Sequence, residues 1–235
     1  MGIAAVKSEE CTLGGLTALR VGTPEHARMQ VVLLHGYAMR PEDLEPFSHS
    51  LGTPALFYFP RGIQAVDPVT RAWWPIDEER RSQQLAIGAR DLFQESPPGR
   101  AAARAALCAF LDAVRSQAPE LPLVLGGFSQ GGMLACDTVL CERQAVSGLV
   151  MLSSSRIAFD EWLANRDPLS GLPVLVSHGQ HDTDLAFGAG EALRDFFRSA
   201  QAKVTWQPFD GGHDIPLVVW RSLRRFLAEL ARKTD

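Results

Sequence analysis

The chain is poor in the features that commit a protein to a special environment. No apolar run approaches the roughly 20 residues needed to cross a bilayer, so a helical membrane span is not expected. Positive charge is not in excess: 23 Lys and Arg stand against 27 Asp and Glu, a formal net charge of -4. The broad basic footprint of a nucleic-acid binder is missing. The local clusters Arg80-Arg81 and Arg221 with Arg224-Arg225 fall in helical patterns and read as solvated faces. Only four cysteines occur, at 11, 108, 136 and 141, with no C-x-x-C and no framework spacing. Cys108, Cys136 and Cys141 sit in apolar helical patterns, as small core residues do, and a reduced, cytoplasmic setting is the default expectation. Residues 1–7 lack the charged start and apolar core of a signal peptide. Gly2 is not followed by the serine or threonine of a myristoylation signal. There is no internal repeat and no low-complexity tract.

What is present is an ordinary globular composition. Of 235 residues, 46% are hydrophobic and 21% charged, which suits one α/β domain over residues 1–235 with a sizeable core. The continuous apolar run at 30–34 reads as a buried parallel strand, 55–59, 147–152 and 173–177 as further strands, and Val124-Leu125 as a buried strand end. Residues 16–21 read as a first strand and 203–209 as the last. Helical periodicity is expected over 41–51, 78–93, 100–116, 191–200 and 217–232. Between them, 61–77 is a long connection carrying Trp73-Trp74-Pro75, expected beside the active-site cleft. Strands alternating with helices imply a mainly parallel central sheet flanked by helices on both faces. Functional residues should then lie beyond the carboxyl ends of the strands.

The stretch 121–134, L-P-L-V-L-G-G-F-S-Q-G-G-M-L, concentrates the chemistry. Gly127-Phe128-Ser129-Gln130-Gly131 fits G-x-S-x-G, the elbow in which a strand turns sharply into a helix and presents a serine at the tip. The glycines are needed because strand and helix approach too closely there for Cβ atoms. Ser129 would sit at the N-terminal end of the following helix, where developing negative charge is favoured.

A serine nucleophile needs a base. Of six histidines, His26 and His49 follow no core strand. His35 and His178, each before a glycine at a strand end, read better as braces for loop backbones. His181 neighbours the favoured acid and could reach the cleft. His213 follows the last strand and a double glycine, and the order nucleophile, acid, histidine makes it the general base. The acid that orients it is expected to be Asp182, with Asp184 as nearest rival and Asp210 and Asp214 less well placed. The two oxyanion donors are expected to be the backbone N–H groups of Gln130 and Tyr37. Met39, Trp73, Trp74, Leu185, Phe187 and Ile215, all in loops expected around the cleft, would line an apolar acyl pocket.

Leu34-His35-Gly36, the elbow with its second glycine, His178-Gly179-Gln180-His181-Asp182 and Gly212-His213 together resemble the phospholipase/carboxylesterase group of α/β-hydrolases, which includes the acyl-protein thioesterases. Trp73-Trp74 ahead of Asp77 is similar to that group's aromatic pair before an acidic residue. Tyr37-Ala38 stands where the group has Leu-Gly, and Leu185-Ala186 where it has Val-Pro. The resemblance implies an α/β-hydrolase fold, a serine esterase with Ser129, Asp182 and His213 as triad, a small-molecule ester substrate, no metal and no cofactor. Cleavage of small carboxylic esters, with thioesters as a variant, is the expected activity. A hydrolase-fold binding module without catalysis, and an acyltransferase or protein-depalmitoylating thioesterase using the same triad, are the alternatives. Exposed loop aromatics would suit a homodimer or a membrane-surface contact.

Overall fold

A computed structural model of the chain describes residues 8–232, so the stretch 1–7 considered above lies outside the described residues. Among the described residues ten strands form: β1 (Glu9–Leu13), β2 (Leu16–Val21), β3 (Gln30–Leu34), β4 (Leu56–Pro60), β5 (Gln64–Ala65), β6 (Arg71–Ala72), β7 (Leu123–Phe128), β8 (Gly148–Leu152), β9 (Pro173–Gly179) and β10 (Lys203–Phe209). Seven α-helices accompany them: α1 (Glu45–Leu51), α2 (Glu78–Ile87), α3 (Arg100–Gln117), α4 (Gln130–Cys141), α5 (Phe159–Ala164), α6 (Phe187–Ser199) and α7 (Leu217–Ala231). Eight strands make one sheet in the order β1-β2-β4-β3-β7-β8-β9-β10. It is parallel from β4 to β10 and antiparallel only where β2 meets β1 and β4.

Successive strand side chains point to opposite faces, and the sequence uses both. Val32, Leu34, Leu125, Met151 and Val176 join the core under α3, α4 and α6. Val31, Leu33, Val124, Val150 and Leu175 join the core under α7. Burial on both faces is why these strands read as continuous apolar runs.

The topology also prepares a crevice. β3 lies between β4 and β7. The chain leaves β3 towards β4 on one side, and leaves β7 towards β8 on the other. The loops after β3 and β7 therefore part at the carboxyl edge, the switch point where sheets of this kind hold their ligands.

Several elements differ from the sequence expectation. β1 was not foreseen because Glu9, Glu10 and Thr12 break any apolar pattern; it exists through its pairing with β2. The loop 61–77 contains the small β5-β6 hairpin, its turn closed by Asp67 Oδ1 accepting from Val69 N and Thr70 N at 2.7 Å each. α2 ends at Ile87 instead of 93, because Gly88 adopts an extended conformation that is not helical. α6 starts at Phe187, four residues before expectation; Gly188 and Gly190 disguise its first turn. α5 was not anticipated.

Candidate active site

The elbow is built as its glycines require. Ser129 takes φ 52° and ψ -117°, a left-handed conformation that non-glycine residues seldom adopt. A Cβ on Gly127 would lie 2.5 Å from Leu34 O, and one on Gly131 2.3 Å from the same oxygen. Neither can carry a side chain without moving β3. The backbone is pinned on both sides of the turn: Ser129 N donates to Leu152 O at 2.8 Å, and Ser154 Oγ donates to Ser129 O at 3.1 Å. Strain at Ser129 is thus held by its neighbours.

Three side chains far apart in sequence meet at this point. His213, after β10, places Nδ1 2.7 Å from Asp182 Oδ2 and Nε2 2.9 Å from Ser129 Oγ. An ionised carboxylate can only accept, so Nδ1 carries the proton and Nε2 is free to accept from the serine hydroxyl. Phe128 packs on the His213 ring, with centroids 4.8 Å apart. Ser153 Oγ donates to Asp214 O at 3.1 Å and ties down the loop next to the histidine.

Asp182, after β9, has a fully buried side chain. Its Oδ1 accepts from Asp184 N and Leu185 N at 2.9 Å each. Burial by itself would push the carboxyl up. The hydrogen bonds from His178 and His213, the His213 charge and the Leu185 N–H outweigh it and hold the group well below the usual carboxylate range. Asp184, the rival acid, is turned away: it forms ion pairs with Arg81 (2.7 Å) and Arg90. His181 is exposed and pairs with Asp210 at 2.9 Å, outside this constellation.

Both loop-bracing histidines are buried, as expected. His35 Nδ1 donates to Gly36 O at 2.7 Å, and its Nε2 accepts from Gly62 N at 2.9 Å. Burial pushes its pKa down to about 4, only partly offset by the Gly36 bond, which keeps the ring neutral. His178 does more than brace. Its Nε2 faces Leu185 O at 3.0 Å and also Asp182 Oδ2 at 3.3 Å.

Tyr37 lies on the loop after β3 and Gln130 opens α4, on opposite sides of the crevice. Neither backbone N–H has an acceptor among the described residues. For Gln130 this follows from its place in the first turn, whose N–H groups have no partner within the helix.

Ser129 and Gln130 face a cavity of about 310 Å³. One side is apolar, with Trp74, Met133, Ile157 and Leu185; the other is the polar face of α2, with Arg80, Arg81 and Gln84. Of the residues expected to line it, Trp74 and Leu185 do so, and the expected oxyanion donor Tyr37 lines it as well. Four do not. Trp73 is fully buried under the loop, stacked on His35 with centroids 5.3 Å apart. Met39 packs behind Gly36 against the α7-side core. Ile215 is buried in that same core. Phe187 packs against Trp206 and the far side of His178. Both tryptophans are buried, so they offer no surface for the dimer or membrane contact suggested above.

Sequence reasoning missed three contributors: the His178 contact to Asp182, Ser153 and Ser154, and the side chain of Gln130. The triple serine at the end of β8 was a usable signal, since short hydroxyl side chains at a strand end hydrogen-bond nearby backbone.

A sequence model of the family described as Phospholipase/Carboxylesterase matches residues 110–231, more than half of the chain. Among curated relatives, acyl-protein thioesterase 1 of Neurospora crassa is 27% identical over 120 residues, covering 49% of each chain. A probable carboxylesterase, SOBER1-like, of Arabidopsis thaliana is 33% identical over 92 residues, covering 38% of this chain and 35% of that one. The match thus spans half or less of these relatives. Solved structures superpose over most of their length: esterase PE8 at TM-score 0.74 and 24% identity (97% of this chain, 100% of that one), and a carboxylesterase from Mesorhizobium loti at 0.74 and 20% (94% and 98%). At such identities the likeness speaks for the fold, which is that of the α/β-hydrolases. By the family match, the chain belongs to the phospholipase/carboxylesterase family.

Proposed function

We propose that the chain is a serine hydrolase that cleaves carboxylic esters of small molecules through an acyl-enzyme on Ser129. The observation that carries this is the unbroken pair of hydrogen bonds from Asp182 through His213 to Ser129, ending at a hydroxyl that faces a cavity. In the first half-reaction Ser129 Oγ attacks the ester carbonyl carbon as its proton passes to His213 Nε2. The carbonyl oxygen takes the negative charge and is met by the N–H groups of Gln130 and Tyr37. The tetrahedral intermediate collapses, the C–O bond to the leaving group breaks, and His213 gives its proton to the departing alkoxide. In the second half, His213 takes a proton from water, hydroxide adds to the acyl carbon, and the carboxylic acid leaves as the proton returns to Ser129. Asp182 holds the imidazole in the required tautomer and stabilises the imidazolium. A thiolate leaving group fits the same steps, as in the thioesterase relative.

The cavity favours short acyl groups. Arg80, Arg81 and Gln84 of α2 line it too, and they would place charged and polar groups against a long alkyl chain. The test is a fluorophosphonate probe together with a panel of chromogenic esters and thioesters of graded acyl length. Labelling of the wild type that disappears in Ser129→Ala, with turnover greatest for short esters, is the expected result. Unchanged turnover in Ser129→Ala would overturn the mechanism. Absence of both labelling and turnover in the wild type would favour a binding module.

A further inference from the structure

We infer that Trp73 is a positioning residue: a strut that sets the distance and angle between the two oxyanion donors. The inference rests on the esterase reading above and deepens it. One donor lies on the loop after β3 and the other opens α4, two segments that no strand pairing holds together. β3 and β7 are in register as far as Leu34 and Gly127; beyond that point Gly131 of α4 still lies against Leu34 O and His35 O, but no backbone hydrogen bond among the described residues joins Tyr37 to Gln130. Something outside the sheet must fix Tyr37 N–H against Gln130 N–H, because oxyanion stabilisation depends on donors already in place when charge develops.

Trp73 touches both loops. Its indole Nε1 donates to His35 O at 2.9 Å, holding the peptide that leads into Gly36 and Tyr37. Its backbone N donates to Gln130 Oε1 at 2.8 Å. The other end of the same Gln130 amide, Nε2, donates to Trp74 O at 3.0 Å. The side chain of the residue after the nucleophile is therefore clamped by two bonds to the tryptophan pair, and Trp73 carries that clamp across to the other donor loop.

The grip continues on the His35 side. The Trp73 ring stacks on the His35 imidazole, with an interplanar angle of 30°. That imidazole donates from Nδ1 to Gly36 O. In a trans peptide, C=O and N–H point in opposite directions from one rigid plane. A bond that fixes Gly36 O therefore fixes the direction of Tyr37 N–H. Trp73, His35 and Gln130 are all buried, so these bonds face no competition from water. This arrangement explains why Trp73 is turned away from the cleft while its neighbour Trp74 lines it.

Two variants test the strut. Trp73→Phe keeps an aromatic ring against His35 and loses the indole donor. Gln130→Met keeps an unbranched side chain and its own N–H, and loses the clamp. Each should lower kcat about 10- to 100-fold, below the cost of deleting a donor outright, with KM for a short ester within about twofold of wild type. The affinity of a trifluoromethyl ketone, whose adduct with Ser129 places an oxyanion between the donors, should fall by the same factor as kcat/KM. The double variant should lose less than the product of the two single losses, since both break one connection.

Unchanged kcat and ketone affinity in both variants would overturn the inference, as would a lower melting temperature with no kinetic change. A rise in KM alone would make Trp73 a substrate contact and sink it equally. Should Trp73→Phe fail to fold, Gln130→Met decides by the same readouts. Wild-type labelling by a fluorophosphonate separates the two levels: if it is absent, the esterase reading itself fails, and the strut with it.

Discussion

The two walls of the cleft are held by different physics. The sheet-edge wall is built from buried groups with several hydrogen bonds each: Asp182, His35, His178 and the elbow. The opposite wall, α2, buries no residue at all, and its terminal Ile87 is 92% exposed. It is attached by Arg81 to Asp184 at 2.7 Å, by Arg80 to Glu95 at 2.6 Å, and by Asp77 accepting from Arg80 N at its start. Ion pairs that water still reaches contribute about 0–1 kcal/mol each, whereas a buried polar group that loses its partner costs about 1–3 kcal/mol. On the proposed function, the first wall fixes the reaction and tolerates little change. The second shapes what enters and can vary at small cost to the fold. Substitutions on the two walls should therefore differ in kind, and the tests below are ordered by the size of the expected difference.

The largest effect is expected at Asp182. Asp182→Asn keeps the shape but favours the wrong imidazole tautomer, and kcat should fall by about 10⁴. Asp184→Asn, two residues along the same loop but paired with Arg81 and Arg90 instead of His213, should cost at least about a hundredfold less. Steady-state kinetics on one short ester decides. Equal losses would mean that the acid-loop ion pairs belong to the chemistry and not to the variable wall.

Next comes the pH dependence of stability, written into the neutral His35. Its folded pKa of about 4 lies below the unfolded value of 6.5. The unfolded chain therefore takes up a proton that the folded chain refuses. The stabilisation is fully present above pH 6.5 and is lost as pH falls towards 4, an effect of about 3 kcal/mol. Urea unfolding at pH 7, 5.5 and 4 should show that loss in the wild type and a flatter profile in His35→Gln. Identical slopes would show that the acid sensitivity has another origin. A smaller effect is expected at His178, which supports Asp182 without touching His213. His178→Phe should lower kcat about tenfold, and most at low pH, because a carboxyl left with one of its two imidazole partners takes up a proton more readily.

The same contrast explains what the sequence disclosed. The elbow was legible because steric demands leave a compositional trace: Gly127 and Gly131 both lie against Leu34 O. The positions of Ser129, Asp182 and His213 after β7, β9 and β10 were legible because the apolar runs before them mark where the strands end. The cleft lining was not, because membership of a loop says nothing about direction. Trp73 and Trp74 are sequence neighbours in a bend just after β6, yet one enters the core and the other the cavity. Met39 and Ile215 point away from the cavity for that reason, and Phe187 because it opens α6 and is not part of a loop. α2 was read as an amphipathic helix running to 93, yet it buries nothing, and its place over the cleft depends on charged partners as distant in sequence as Asp184.

The smallest expected effect is the most informative about that helix. Arg81→Gln removes the ion pairs to Asp184 and Glu78 and leaves every buried contact of the sheet edge intact. Global stability should fall by no more than about 1 kcal/mol and kcat should stay within about twofold. Local stability is where the change should appear, since segments with few buried contacts open first. Native-state hydrogen exchange should already show α2 amides exchanging far faster than those of α4, whose residues from Gln130 to Leu140 are all buried. In Arg81→Gln, or in the wild type at 1 M salt where the Debye length shrinks to about 3 Å, α2 protection should drop further while α4 protection holds. If both helices lose protection together, the two walls form one cooperative unit and α2 is no more replaceable than the elbow. If only α2 responds, acyl-length preference should shift with substitutions along its cleft face while the rate with the shortest ester stays fixed.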